Sequence, residues 1–133
     1  MRQISTADAP AAIGPYCQAV QVKDFVFTSG QIPLNPKTGG IEGETITEQT
    51  EQVMKNLGAV LEAAGSGFEH AIKTTCYLAD INDFGAFNEV YAKYFVNKPA
   101  RSCFAVKDLP KGALLEVEVI AKVAKEHKDY IVD

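Results

Sequence analysis

Few side chains in this sequence can do chemistry, and the most informative ones come in pairs two residues apart. Arg101 and Cys103 sit in Pro99-Ala100-Arg101-Ser102-Cys103, and Glu116 and Glu118 in Leu115-Glu116-Val117-Glu118. In a strand, a spacing of two puts each pair on one face. An arginine at the mouth of a strand offers a planar, permanently charged fork that fits a carboxylate, although a surface arginine paired with one of the chain's own acids would look the same. Cys103 invites a nucleophilic role, but no histidine shares its motif to activate it. A buried cysteine packs as a small hydrophobe, so lining a pocket is the role expected of it. A strand glutamate is commonly just solvated, whereas one facing a subunit interface is partly desolvated and can exchange protons near neutral pH. Alternation does not choose between Glu116 and Glu118. Tyr16 follows Gly14-Pro15, a turn able either to project its hydroxyl into a cleft or to pack its ring. Asn88 reads as an exposed residue outside a Phe84–Phe87–Tyr91 helical stripe.

Composition narrows the classes. The 133 residues suit one domain, 47% are hydrophobic and 23% charged, and the net charge is −4. An acidic balance supplies no overall field for a phosphate backbone, so nucleic acid is not the expected partner. Cys17, Cys76 and Cys103 are odd in number and never in a C-x-x-C pair, and His70 and His127 have no metal-ligand spacing. Neither a disulfide framework nor a metal site is expected. The start lacks the charged and apolar regions of a signal peptide, and no apolar run is long enough to span a bilayer, which predicts a cytoplasmic protein without membrane contact. Walker, G-x-S-x-G, H-E-x-x-H and G-x-G-x-x-G motifs are absent from the sequence.

The elements that must position these residues follow from periodicity. Cys17 to Asp24 and Phe25 to Ile32 read as a hairpin turning at Lys23-Asp24, and Pro33 to Gly43 as a loop. A helix begins near Thr47, with Thr47 or Thr50 as candidate N-caps, and carries Val53, Leu57, Val60, Leu61 and Ala64 on one face. Ala71 to Leu78 is strand-like. Asp83 is placed to cap a second helix that buries Phe84, Phe87, Tyr91, Tyr94 and Phe95 and stops at Pro99. Ala100 to Val106 and Leu114 to Ala124 complete the strands around a Leu109-Pro110-Lys111-Gly112 turn. The order ββ-α-β-α-ββ is an α+β arrangement, a mixed sheet with two helices packed on one face. The other face, still partly apolar, is expected to be covered by further subunits. One domain spans 1–133, with a charged tail over 125–133 that is expected to be flexible or to dock on a neighbour through Tyr130-Ile131-Val132.

Five ordered motifs then carry a resemblance. Ala11-Ala12-Ile13-Gly14-Pro15-Tyr16, Thr28-Ser29-Gly30-Gln31-Ile32-Pro33, Asn82-Asp83-Phe84 through Asn88, Pro99-Ala100-Arg101-Ser102-Cys103, and Leu109-Pro110-Lys111-Gly112 through Glu118 occur in register. From about Ser5 to Ala124 the chain resembles the Rid family, the reactive intermediate (imine) deaminases. The resemblance implies a chorismate-mutase-like fold and a homotrimer with clefts between subunits. It also implies hydrolysis of 2-aminoacrylate and 2-aminocrotonate, in their imine forms 2-iminopropanoate and 2-iminobutanoate, to 2-keto acids and ammonia. No cofactor is implied, and the substrates would come from pyridoxal-phosphate dehydratases acting on serine or threonine. Carried over by position, Arg101 holds the substrate carboxylate and Glu116 acts on water or the imine nitrogen. Tyr16, Gly30, Asn88 and Cys103 line the pocket. The segment from Tyr94 to Pro99 is shorter than in many members, and the tail after Ala124 is longer. A keto-acid-binding regulatory trimer and an RNA-acting translation inhibitor are the competing readings.

Overall fold

The computed structural model describes residues 1–124. Six strands form one mixed sheet: β1 (Arg2–Ile4), β2 (Ala19–Val22), β3 (Phe25–Thr28), β4 (Ala71–Leu78), β5 (Ala100–Ala105) and β6 (Leu115–Lys122). Two helices, α1 (Ile46–Ala63) and α2 (Phe84–Tyr94), interrupt them. The spatial order is β1-β2-β3-β6-β4-β5; only β4 and β5 run parallel, so β6 is central and β5 an edge. The α+β reading and the hairpin at Lys23-Asp24 are borne out; Lys23 takes the positive φ of 54° that the tight turn demands. Strand β1 is not among the sequence expectations. Three residues are too few to show a period, and it forms only because Arg2, Gln3 and Ile4 pair with Gln21, Val20 and Ala19. The tail from Lys125 and its Tyr130-Ile131-Val132 motif lie outside the described residues.

Helix α1 buries Val53, Leu57, Val60, Leu61 and Ala64, the stripe that the spacing predicts. Each large member contributes about 1.5–3 kcal/mol on burial. Its start, however, is neither Thr47 nor Thr50. Thr45 is the N-cap: its hydroxyl accepts from Glu48 N at 3.1 Å, while Glu48 Oε1 accepts from Thr45 N at 3.1 Å. The apolar spacing counted from Val53 does not reveal this reciprocal box, because the helix and its buried face begin seven residues earlier, at Ile46. Asp83 is not a side-chain cap either. A short 3₁₀ turn, Ile81–Asp83, leads into α2, and Asp80 Oδ1 caps that turn by accepting from Asn82 N at 2.9 Å.

The two helices cover one sheet face. There Phe87 and Tyr91 of α2 and Phe95, its C-cap, join Val53, Leu57 and Leu61 of α1 and Cys76, Leu78, Leu115, Val117 and Val119 of the sheet in one cluster. A second cluster gathers Ile4, Ala19 and Val26 beneath Val60 and Ala64. Among the described residues no helix covers the opposite face, and Val22, Phe25, Phe27 and Phe104 lie exposed on it or at its rim, each more than 40% accessible.

Losing the box should be measurable without touching the site. Thr45→Ala is expected to destabilise the fold by about 0.5–2 kcal/mol in denaturant unfolding, with the native far-ultraviolet spectrum retained. An unchanged midpoint would show that the cap contributes nothing.

Candidate functional site

Strand register sorts the candidate residues. Arg101 pairs with Thr74 and Cys103 with Cys76, and Thr74 and Cys76 are both buried under the helices. Arg101 and Cys103 therefore share the helix-covered face, as the spacing of two predicts. Glu116 pairs with Tyr77 and Glu118 with Thr75, the residues between the buried ones. The two glutamates accordingly share the open face. Arg101 and Glu116 thus point to opposite sides of the sheet, on strands separated by β4.

Around Arg101 the structure is specific. Its guanidinium lies 4.7 Å from the centroid of the Tyr91 ring and 5.3 Å from that of Phe84, both on α2. Arg101 Nη1 donates to Asn88 Oδ1 at 2.6 Å. Tyr91 is held from below by a 2.8 Å hydrogen bond between its hydroxyl and that of buried Thr74. Asn88 is thus not a bystander outside the stripe. Phe84, Asn88 and Tyr91 follow the i, i+4, i+7 spacing of one helix face, and that spacing marks all three as neighbours on the face that meets Arg101. Phe84, Tyr91 and Thr74 are the functional neighbours that sequence reasoning passed over, because aromatic residues on a helix stripe read simply as core. Among the described residues no carboxylate forms an ion pair with Arg101; the ion pair recorded joins Lys93 to Glu51. Its fork faces a cleft of about 440 Å³ between α2 and β5, lined also by Ala92, Phe95, Val96 and Lys98.

Glu116 occupies a different setting. Gly30 lies against it so closely that a Cβ there would overlap the Glu116 carboxylate. This approach follows from Gln31, which exchanges both backbone hydrogen bonds with Val117 at 2.9 and 3.1 Å and so pins the chain after β3 onto β6. Burial pushes the Glu116 pKa up, and the neighbouring Glu118 charge pushes it further the same way. Glu118 instead accepts from the Tyr77 hydroxyl at 3.2 Å. The structure thereby separates two residues that alternation left equivalent: Glu118 has a donor, and Glu116 accepts no hydrogen bond among the described residues.

Cys103 is half-buried two positions from Arg101 on the same face, with its pKa raised chiefly by burial and lowered in part by Arg101. Among the described residues no base bonds to it, and it stands beside the Arg101 cleft rather than among the residues that line it. Tyr16 is brought to neither group. It lines a separate cleft of about 440 Å³ with Gln3, Ser5, Thr6 and Gln18. Buried Gln18 holds that segment by donating to Thr6 O at 3.0 Å and Pro10 O at 2.8 Å and accepting from Thr6 N at 2.7 Å. One chain therefore presents three pieces: Arg101 with Asn88 and Cys103, Glu116 with Gly30, and Tyr16. Among the described residues no group of three His, Cys, Asp or Glu side chains could hold a metal ion, and no helix is long and apolar enough to cross a membrane.

The charge coupling on the open face is directly measurable. In Glu118→Gln the Glu116 carboxyl loses a like charge, so its ionised form is favoured and its pKa should fall, while burial keeps it above the ordinary glutamate value. Carbon-detected titration of the Glu116 carboxyl checks this; an unmoved or rising pKa would contradict the arrangement.

Residues 6–123 match the family described as endoribonuclease L-PSP. A Lactococcus lactis protein named as a regulator, AldR, is 55% identical over 124 residues, covering 92% of this chain and 98% of that one. The Mus musculus protein named 2-iminobutanoate/2-iminopropanoate deaminase is 50% identical over 119 residues, covering 89% of this chain and 88% of that one. A crystal structure of YyfA from Yersinia pestis, described as a protein of unknown function of the conserved Rid family, aligns with a TM-score of 0.89 at 48% identity, over 92% of this chain and 98% of that one. The similarity takes in both helices, the strands from β2 to β6 and every candidate site residue, and the chain belongs to the endoribonuclease L-PSP family, which includes the Rid proteins its motifs resemble.

Proposed function

We propose that this protein hydrolyses small 2-imino acids, 2-iminopropanoate and 2-iminobutanoate, to 2-keto acids and ammonia. The observation that carries the reading is Arg101: a guanidinium packed on two aromatic rings, oriented by a neutral amide, and with no acidic partner among the described residues. In a chain of net charge −4, a cation kept free of the protein's own carboxylates is suited to a carboxylate from outside. The half-buried Glu116, its pKa raised, supplies the second requirement, a proton shuttle operating closer to neutral pH.

The chemistry balances with these groups alone. Glu116 takes a proton from water as the water oxygen bonds to the imine carbon and the C=N electron pair moves to nitrogen. The resulting carbinolamine carries hydroxyl and amine on one carbon. Glu116 returns its proton to that nitrogen to complete the amine, then carries the hydroxyl proton to the same nitrogen as the C–N bond breaks, so that ammonia leaves and a carbonyl forms. The reaction also proceeds in water, so orientation and one acid–base group account for the help required. A substrate of about six heavy atoms can gain at best about −9 kcal/mol, and the Arg101 contact must provide much of it.

Such a substrate is too short to reach both Arg101 and Glu116 of one chain, since they face opposite sides of the sheet and lie two strand spacings, about 10 Å, apart. The site is therefore completed by another copy, and the apolar open face is where copies meet in a homotrimer. The deaminase name of the mouse relative supports the activity. The regulator name of the Lactococcus relative favours a second reading, keto-acid binding without turnover. Arg101 serves both, whereas a titrating Glu116 is needed only for turnover. A role on RNA draws little support from the net charge.

The deciding assay generates 2-aminoacrylate with a serine dehydratase and follows pyruvate release. Glu116→Gln should reduce the protein's contribution by roughly 10²–10⁴-fold, down to the uncatalysed background, while Glu118→Gln changes it little. Arg101→Lys, which cannot reproduce the fork, should weaken turnover by the about 1.5–3 kcal/mol of a charged hydrogen bond, or about 10- to 150-fold. Keto-acid binding with no acceleration by the unmodified protein would select the regulatory reading.

Assembly is tested separately. Sedimentation at micromolar concentration should give a trimer, and Phe27→Glu on the open face should yield monomers that have lost turnover. A fully active monomer would remove the shared site.

A further inference from the structure

Cys76 has no part in the proposed reaction, and its position is unusual. It is fully buried on β4 and stands in register with Cys103 on β5, both on the helix-covered face. Neighbouring strands lie about 4.8 Å apart, inside the Cα separation of about 4.4–6.8 Å that a disulfide spans. The two thiols each shift the other's pKa, and the Cys76 thiol donates to Thr74 Oγ1 at 3.9 Å. Only Cys103 of the two is reached from solvent, two residues along the same face from Arg101.

We infer that Cys76 and Cys103 form a reversible redox pair that a peroxide closes into a disulfide beside the Arg101 cleft. The Cys103 sulfur attacks one peroxide oxygen, the O–O bond breaks, and water leaves; Cys103 becomes the sulfenic acid. The Cys76 sulfur then attacks the Cys103 sulfur, the S–O bond breaks with release of a second water, and the disulfide is formed. The peroxide is thereby reduced and the two thiols oxidised. Asymmetry of access sets the order, since Cys103 meets the oxidant and Cys76 can only resolve it. Burial favours the protonated thiols, with Cys76 pushed up to about 12, so the reduced pair resists oxidation and closes slowly. Arg101 is the larger of two groups that favour the Cys103 thiolate, the Cys76 thiol being the other, which ties the rate of oxidation to the charge that the proposed substrate would neutralise. Closure draws the Cys103 sulfur toward the core and alters the wall next to Arg101. The effect on turnover rests on the deaminase reading; the linkage itself does not.

The test treats the full chain with hydrogen peroxide and maps it by mass spectrometry without reductant. The expected product has lost about 2 Da, the two hydrogens of one disulfide, and yields a linked Cys76–Cys103 peptide. Cys17 stays open to a thiol label, and dithiothreitol restores all three thiols. Cys76→Ser, or Cys76→Ala should the serine variant fold poorly, is expected to give no linked peptide and to leave a Cys103 sulfenic acid trappable by dimedone. A wild-type protein that proceeds to sulfinic acid at Cys103 without the linkage would overturn the inference, as would links formed through Cys17. With the linkage formed, imine turnover should fall and return on reduction. A reduced protein with no turnover counts against the deaminase reading alone, because the peptide map reports the pair independently.

Discussion

The arrangement depends on one geometric constraint: a strand sends successive side chains to opposite faces, and this sheet has helices for only one of them. Leu115, Val117, Val119 and Ala121 of β6 are buried beneath α1 and α2, and Glu116 and Glu118 between them emerge on the side no helix covers. On β5 the same rule sends Arg101 and Cys103 toward α2 and leaves Ser102 and Phe104 outside. The groups proposed to hold and protonate the substrate, Arg101 and Glu116, are thus divided between two faces of one chain.

Each half of the site is tuned by neighbours of opposite character. Arg101 rests on Tyr91 and Phe84 and is fixed by Asn88, so its position is set by groups carrying no charge and its own charge stays available. An aspartate at position 88 would hold the fork equally well but would occupy it. The absence of a side chain at Gly30 lets the backbone lie against the Glu116 carboxylate, whose pKa burial raises. Glu118 contributes through its charge while its own carboxylate is taken by Tyr77. Two glutamates on one face of one strand therefore have different environments, a distinction with nothing to do with their immediate sequence.

Much of the fold was legible because it rests on period. The α1 stripe and the alternation of β6 are repeated over enough residues to be unambiguous, and the pairings of Arg101 with Cys103 and of Glu116 with Glu118 follow from a spacing of two. Features carried by single contacts were not. The Thr45–Glu48 box was missed because a buried Ile46 extends the helix toward its N-terminus, and β1 because a strand of three residues gains its identity only from its partner. Asn88 reads as exposed from the sequence, although its spacing from Phe84 and Tyr91 places it on their face; aromatic neighbours on a stripe look like core whether or not a cation lies above them.

By itself the sequence determined the class of fold, the faces on which the chemical residues emerge, and the ordered motifs that mark the family. These are local or periodic properties, written in consecutive side chains. Only the folded chain shows which of the two glutamates goes without a donor among the described residues, that Arg101 has aromatic rings beneath it and no ion-pair partner among them, and that Cys76 and Cys103 stand in register on neighbouring strands. Those facts depend on strand order and register, which bring together residues tens of positions apart. A spacing along the chain carries no information about the distance between β4 and β5 until the sheet is formed.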